Sequence, residues 1–209
     1  MTMKIYSVLA SVFICLAIWV LPAMSEYTPS EWKKIKTGEI LISEKQRDNP
    51  DGSQSLLFVA KGYINAPREE VWKALRDYNH FYEFFPNVRE TKIVKKEGET
   101  YWVDYMTKVL VMEVRYTLRF EGIEKYKRIE SKLDKERPHD IRDSYSSWLL
   151  EDAPEGSGTV VTFTNFVDTG IPAPVAIARR AAKSSLPNVL VNVRKRVESG
   201  GKWKKTQGS

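Results

Sequence analysis

The C-terminal part of the chain has the apolar periodicity of one long α-helix. Between residue 171 and about residue 199, apolar side chains recur every three or four positions, which places them on one helix face. These positions are Val175, Ala178, Ala182, Leu186, Val189, Val193 and Val197. The helix is predicted to begin at Ile171-Pro172, because proline suits a first helical turn. Pro187 interrupts the pattern and predicts a kink or a hinge.

The first half of this helix face carries small side chains. Ala178 and Ala182 lie on the face, with Ser185 beside it. A helix that only closes a core usually carries larger apolar side chains, because protein interiors are densely packed. Two interpretations therefore remain open. The alanines pack closely against a sheet, or they leave room for a ligand under the helix.

Ahead of this helix, apolar and polar residues alternate in a series of short segments. Residues 114–123 are the clearest case, with Val114, Tyr116, Leu118 and Phe120 on one face and polar side chains on the other. This alternation is typical of a half-buried strand. Further strands are predicted at residues 38–45, 55–64, 88–96, 101–107, 128–133, 141–150 and 159–167.

Two short helices are predicted between the first long strand and the later strands. Asn65 and Pro67, followed by Glu69 and Glu70, form a typical helix start. A second short helix is predicted over residues 80–85, where a proline ends it. Sequential strands with short turns pair in antiparallel fashion. The order of elements predicts an α+β fold, in which a curved antiparallel sheet of about six to eight strands wraps around the long C-terminal helix.

The first 25 residues have the pattern of an export signal. Lys4 precedes an uncharged apolar run over residues 5–21, and Ala23-Met24-Ser25 then predicts cleavage before Glu26. A retained membrane anchor is the alternative, since roughly 20 apolar residues can span a bilayer. Both alternatives predict a periplasmic or secreted domain. Cys15, the only cysteine, lies in this run, so the predicted mature chain has no disulfide and no cysteine-based metal site.

The net charge of +6 is concentrated at the C-terminus. Residues 194–209 contain six basic residues and one acidic residue, whereas residues 26–193 have no net charge. A neutral body argues against binding to nucleic acid, which needs a basic face. The basic end is interpreted either as a solvated, frayed tail or as a contact for anionic membranes.

A second candidate for membrane contact is an apolar segment between two predicted strands. It consists of Val109, Leu110, Val111 and Met112, at a position where polar turn residues are expected. This segment is interpreted either as an apolar loop that contacts a membrane or a partner, or as part of one longer buried strand.

Few residues offer catalytic or metal-binding chemistry. His80 and His139 do not have a metal-binding spacing, and the chain has no phosphate-binding or nucleophile motif. No metal or cofactor is therefore predicted. If the protein is an enzyme, it needs a buried acid or base in its site. Asp104 is the candidate if its side of the strand faces inward. Asp168 is expected to cap the turn before Gly170.

Four segments resemble the START / polyketide cyclase / coenzyme Q-binding superfamily, also called SRPBCC, which has the helix-grip fold. They are the A-P-x-x-x-V-W start in residues 64–72, the Y-x-x-F-x-x-F-x-P-x-V pattern in residues 78–88, the central strands, and the helix start at Ile171-Pro172. Together they cover roughly residues 38–199. The resemblance implies a hydrophobic cavity under the C-terminal helix, of about 300–1,000 Å³ for pockets in general.

The resemblance and the periodicity together predict which residues line that cavity. The predicted lining is Phe81, Phe84, Tyr101, Val103, Tyr105, Tyr116, Leu118, Phe120, Trp148, Phe163, Ala178, Ala182, Leu186 and Val189. We expect a monomeric carrier of a hydrophobic small molecule or lipid. The alternatives are an enzyme similar to polyketide cyclases and aromatases, and an envelope interaction module whose interior is filled by its own side chains.

These expectations divide the chain into four parts. Residues 1–25 are the signal, residues 26–37 a lead-in, residues 38–199 a START-like ligand-binding domain and residues 200–209 a disordered basic tail.

Overall fold

The computed structural model describes residues 27–48, 54–109, 112–170 and 175–206. The helices in these ranges are α1 (Pro29–Ile35), α2 (Arg68–Leu75), a 3₁₀ helix (Tyr78–Glu83) and α3 (Val175–Glu198). The strands are β1 (Leu41–Asp48), β2 (Gln54–Ile64), β3 (Val88–Glu97), β4 (Thr100–Val109), β5 (Met112–Glu124), β6 (Arg128–Leu133), β7 (Asp143–Asp152) and β8 (Thr159–Asp168). The predicted signal over residues 1–25 and the start of the long helix at residues 171–174 lie outside the described residues.

All eight strands belong to one antiparallel sheet. Their order is β1-β2-β8-β7-β6-β5-β4-β3, so neighbours in the sheet are also neighbours in sequence except where β2 pairs with β8. The β2–β8 pairing joins the N-terminal hairpin to the last strand. The sheet curves around α3, which confirms the predicted α+β helix-grip fold and the two short helices after the first long strand.

The second half of α3 provides the helix face that packs against the sheet. Leu186, Leu190, Val193 and Val197 are buried there, and Leu190 is a position that the sequence pattern missed. Gly62 on β2 lies below this helix face: a Cβ atom at this position would be 3.4 Å from Leu190 Cδ1, and it would clash with Ile40 Cδ1 at 2.6 Å.

Helix α3 is continuous through its internal proline. The side-chain amide of Asn188 donates a hydrogen bond of 3.2 Å to the carbonyl oxygen of Ser184, one turn before it. Pro187 has no N–H to donate, so the carbonyl oxygen of Lys183, four residues earlier, lacks its usual intrahelical donor, and the Asn188 side-chain bond is made to the next carbonyl along the helix.

Helix α1 packs on the outer side of the sheet. Thr28 caps it, because its hydroxyl accepts a hydrogen bond from Glu31 N at 3.1 Å while the Glu31 carboxylate accepts one from Thr28 N at 2.7 Å. Trp32 and Ile35 then form a small core with Val160 of β8. The lead-in is therefore a short helix that covers the sheet.

The end of the chain does not match the predicted disordered tail over the part that the structure describes. Trp203 packs against the main core. The Nζ atom of Lys205 donates to the carbonyl oxygens of Phe85 at 2.7 Å and Val88 at 2.8 Å, and its backbone N–H donates to Glu83 O at 2.8 Å. Residues 202–206 therefore lie against the end of the 3₁₀ helix, and residues 207–209 are outside the described ranges.

Among the described residues, no helix is both long enough and apolar enough to cross a membrane.

Candidate functional site: a cavity between the sheet and helix α3

A cavity of about 340 Å³ lies between the concave face of the sheet and α3. Successive side chains of a strand point to opposite faces, so each strand contributes every second residue to the wall. Strands β4 to β8 form the wall on the sheet side, and Ser185, Leu186 and Val189 line it from the helix. Phe81 and Phe85 lie at the side where the 3₁₀ helix ends.

The structure places most of the predicted lining residues at this wall. Those that line the cavity are Phe81, Tyr105, Tyr116, Leu118, Phe120, Trp148, Phe163, Leu186 and Val189. Their contact with a ligand stays a prediction. Residues 178 and 182, the small positions of the helix face, have side chains outside the described set.

Three predicted lining residues lie in the neighbouring core instead. Phe84 and Val103 are completely buried among other side chains. Tyr101 packs against Tyr78, with 5.2 Å between the ring centroids, and the guanidinium of Arg76 covers its ring at 4.9 Å. They share the inner face of the fold with the cavity, but they lie beyond its closed end.

Stacked aromatic rings form the closed end, which we call the aromatic floor. Trp148 and Phe163 are direct partners on β7 and β8, and their ring centroids are 4.0 Å apart at an interplanar angle of 20°. Phe85 meets Trp148 edge to face at 6.0 Å and stacks on Phe81 at 4.4 Å. Such packing suits an apolar or aromatic ligand surface.

Two tyrosines form a parallel pair on the wall. Tyr105 of β4 and Tyr116 of β5 are cross-strand partners whose rings stack at 5.6 Å and 6°. Burial raises the pKa of the Tyr105 phenol well above its ordinary value. Burial also raises the pKa of Tyr116, and a side-chain hydrogen bond with Thr107 partly opposes that rise. Both phenols are therefore uncharged at neutral pH.

A row of polar side chains crosses the middle of the wall, and we call it the polar row. It consists of Ser131 of β6, Ser146 of β7 and Asn165 of β8, which are successive cross-strand partners. The hydroxyl oxygens of Ser131 and Ser146 are 2.7 Å apart and share a hydrogen bond. Apolar periodicity does not reveal this row, although the alternation of S-x-S-x-W in β7 already places the serines on the face of Trp148.

The open end of the cavity lies between the β4–β5 connection and the ends of β7 and β8. Asn87, Lys108 and Thr169 line it there, together with Val167, whose side chain is 45% exposed. Lys108 is exposed, so its ammonium group is at the solvent side of the opening.

The structure places the catalytic candidate outside the cavity. Asp104 lies on the outer face of the sheet, where its side chain is 49% exposed. It accepts a hydrogen bond of 2.7 Å from the Thr117 hydroxyl, and Arg137 is 4.0 Å away. Its neighbours Val103 and Tyr105 face inward, so strand alternation turns the carboxylate away from the cavity.

The other polar residues that the sequence singled out have local partners. The Asp168 carboxylate accepts a hydrogen bond of 2.8 Å from Gly170 N, as predicted. His80 Nδ1 is 2.5 Å from the Asp77 carboxylate, and His139 Nδ1 is 2.7 Å from the carbonyl oxygen of Ile141. Among the described residues, no group of three or more histidine, cysteine, aspartate or glutamate side chains is placed to hold a metal ion.

Comparison with known families gives a match over most of the folded chain. The model of a family described as "Polyketide cyclase / dehydrase and lipid transport" matches residues 64–194. This range runs from the end of β2 to the last turns of α3 and contains every described residue of the cavity wall. Among curated proteins, none matches the chain.

Solved structures share the fold at low sequence identity. A STAR-related lipid transfer protein from Xanthomonas axonopodis has a TM-score of 0.61 at 18% identity, over 76% of this chain and 93% of that one. Human STARD10 has a TM-score of 0.61 at 12% identity, over 83% and 80%. The Zhui aromatase/cyclase from Streptomyces sp. R1128 has a TM-score of 0.55 at 14% identity, over 77% and 94%.

Proposed function

From the premise that the chain belongs to the polyketide cyclase / dehydrase and lipid transport family, within the START (SRPBCC) superfamily, we propose that it binds and carries a hydrophobic small molecule or lipid. The observation that carries this proposal is the cavity of about 340 Å³ between the sheet and α3. A protein whose interior served only as a scaffold would fill this space with side chains, because cores are densely packed.

The size of the cavity favours a small ligand. Ligand pockets generally measure about 300–1,000 Å³, and this one is near the lower end of that range. The ligand that we propose is a molecule of one or two rings, or one with a short acyl chain. A lipid with two long chains would need a larger space.

The composition of the wall supports carriage more than cyclase chemistry. A cyclase or aromatase that works by proton transfer needs an acid or base at the reacting carbon. The described lining offers hydroxyl groups, two side-chain amides and the Lys108 ammonium, and Asp104 lies on the other face of the sheet. Binding without reaction is therefore the function that we propose for this wall.

We also propose that the carrier works outside the cytoplasm. The support is the uncharged apolar run over residues 5–21, followed by the small residues Ala23 and Ser25. Cleavage would release a chain that begins at Glu26.

Native mass spectrometry of the protein, expressed with its own N-terminus and purified without detergent, tests both proposals. The mass of the denatured chain should correspond to residues 26–209. The native mass should exceed it by one small molecule at near one-to-one occupancy, which solvent extraction would identify. A chain that keeps its first 25 residues would contradict processing by a signal peptidase.

A pair of variants on α3 tests whether the molecule occupies the cavity. Val189→Trp places a large ring in the cavity wall, whereas Arg180→Trp adds the same ring at an exposed position of the same helix. V189W should lose the bound molecule while keeping a cooperative unfolding transition, and R180W should keep the molecule. Equal ligand content in the two variants would contradict the cavity as the binding site.

A further inference from the structure

The polar row is unusual because of what surrounds it. Ser131 and Ser146 lie between Phe120 on β5 and Asn165 on β8, and Phe58 on β2 follows Asn165 in the same cross-strand row. The aromatic floor of Trp148 and Phe163 lies two residues further along β7 and β8. Hydroxyl and amide groups thus form one continuous band across the wall, with aromatic rings beside it.

This band has hydrogen-bonding capacity that the described protein contacts do not use. Ser131 is 1% exposed, and its hydroxyl is paired with Ser146. The Asn165 amide can donate two hydrogen bonds and accept two, and the structure gives it no side-chain partner among the described residues. A polar group in apolar surroundings is unfavourable unless it is hydrogen-bonded. A bound molecule that supplies a partner would therefore be favoured over one that does not.

The charges around the cavity restrict what that partner can be. Among the described lining residues, Lys108 is the only charged side chain, and it lies at the solvent side of the opening. Tyr105 and Tyr116 are uncharged at neutral pH, since the pKa of a phenol is ordinarily about 10 and burial raises it further for both. A charged group at the polar row would lose its hydration without gaining a counter-ion, which is strongly unfavourable.

We infer that the polar row binds an uncharged hydrogen-bonding group of the ligand, a hydroxyl or a carbonyl, and that the ligand enters with this group first. The inference rests on the proposed function and specifies its ligand class. The group lies against Ser131, Ser146 and Asn165, next to the aromatic floor. The apolar body extends toward the opening along Leu118 and Leu186.

A matched pair of ligands tests the inference with the full chain. N-phenyl-1-naphthylamine, an uncharged fluorescent molecule, reports on occupancy of the cavity. 1-Decanol and decanoate have the same chain length and differ in the charge of the head group, and both are used to displace the reporter at neutral pH. Decanol should displace the reporter at a concentration at least about tenfold lower than decanoate. The polar row can bind the uncharged hydroxyl, whereas the carboxylate would lose its hydration there without gaining a counter-ion.

Variants of the polar row test whether its side chains cause the stronger displacement by decanol. Asn165→Leu and the double variant S131A/S146A should each weaken displacement by decanol by about tenfold, the loss expected for one or two hydrogen bonds. The quantity compared within each variant is the ratio of the decanol and decanoate concentrations that displace the reporter, which a change in reporter affinity affects equally, and it should move toward one. Thr164→Val, which removes a hydroxyl on the opposite face of β8, is the matched control and should leave decanol unchanged.

The outcomes separate the inference from the proposed function. Unchanged decanol displacement in both polar-row variants, or equal displacement by decanol and decanoate in the unaltered protein, would overturn the inference while the cavity still binds the reporter. A protein that does not bind the reporter at all would contradict the proposed function itself. The alanine double variant keeps the test decisive if N165L does not fold, because it removes only two small hydroxyl groups.

Discussion

At the scale of single residues, Glu83 holds the end of the chain against the fold. Its carboxylate accepts a hydrogen bond from Lys204 Nζ at 2.6 Å and lies 2.9 Å from Arg196 Nη1, while Asp77 is 3.6 Å from the same guanidinium. The side chains of Glu83 and Arg196 are only 9% and 8% exposed. Burial acts to raise the pKa of Glu83, but the Lys204 hydrogen bond and the Arg196 charge outweigh it and lower the pKa below 4.5.

Replacing this carboxylate should destabilise the protein in a pH-dependent way. Glu83→Gln leaves the buried Arg196 with a weaker partner, so we expect the free energy of unfolding at pH 7 to fall by about 2 kcal/mol. Because folding lowers the pKa of Glu83, its contribution is present above pH 4.5 and is lost as the pH falls through the lowered folded value. Urea unfolding at neutral and acidic pH measures the difference between the two proteins.

Glu124→Gln is the matched control for this measurement. Glu124 pairs with Lys127 at the surface, where its side chain is 59% exposed. The control should lose less than about 0.5 kcal/mol, as exposed ion pairs do. At pH values where Glu83 is protonated, E83Q and the unaltered protein should have similar free energies of unfolding. A difference that persists there would contradict an ionic contribution of Glu83.

At the scale of elements, the C-terminal half of α3 is fastened on two sides. Arg194 donates from Nε to the carbonyl oxygen of Tyr63 at 2.7 Å and from Nη1 to that of Gly38 at 3.1 Å. On the other side, Trp203 accepts a hydrogen bond from Arg196 Nη1 at its carbonyl, and its N–H donates to the Ser199 hydroxyl at 2.8 Å. These contacts lie outside the cavity, and they hold in place the helix that lines it.

Removing the Trp203 ring should loosen this fastening. Trp203→Ala takes away a partly buried ring that packs against the main core and lies under Lys195 Nζ at 5.2 Å. We expect the free energy of unfolding to fall by about 1–3 kcal/mol. Thermal unfolding measures the loss, and limited proteolysis should show earlier cleavage near the C-terminus.

Lys202→Ala is the control for the terminal segment, because it changes the preceding exposed residue. It should change stability by less than about 0.5 kcal/mol. If W203A and K202A had the same thermal stability and the same proteolysis, residues 202–206 would contribute little to holding α3.

At the scale of the whole molecule, exposed apolar side chains lie at the open end of the cavity. Met112 at the start of β5 is 46% exposed, and Val167 at the end of β8 is 45% exposed. Lys108 is exposed on the same rim. We propose that this rim contacts an anionic membrane surface when the ligand is exchanged, since apolar and basic groups together favour such surfaces. The side chains of the apolar segment at residues 109–111 lie outside the described set.

Sedimentation with vesicles of anionic phospholipid tests this contact. The double variant M112D/V167D should bind at least about tenfold more weakly, because it puts charge on the apolar surface that the membrane contact would bury. Ile123→Asp is the control, since Ile123 is 53% exposed at the opposite end of β5. Equal binding by M112D/V167D and I123D would contradict the rim as the contact surface.

Several basic side chains of the C-terminus have partners inside the molecule. Within the described residues, Arg194, Arg196, Lys204 and Lys205 all make hydrogen bonds or ion pairs inside the molecule. These four side chains therefore help to fasten α3 and the residues that follow it, while Lys202 and Lys204 are exposed to solvent.

The amino-acid sequence by itself determined the order of the elements, the antiparallel sheet and the inward face of β5. Each of these follows from periodicity within a short segment, since alternation alone places Val114, Tyr116, Leu118 and Phe120 on one face of the strand. The resemblance in residues 64–72 and 78–88 added the helix-grip arrangement and the expectation of a cavity beneath α3.

Only the tertiary structure decided how deep each inward residue lies and what stands beside it. Alternation assigns Tyr101, Val103 and Tyr105 to one face, but the packing of the 3₁₀ helix and α3 leaves only Tyr105 at the cavity. The polar row joins residues from three strands, and Glu83 meets cations that lie far along the chain, at positions 196 and 204. These contacts depend on the register between strands and on the docking of the helices. Both involve residues far apart in the chain, so local periodicity does not encode them.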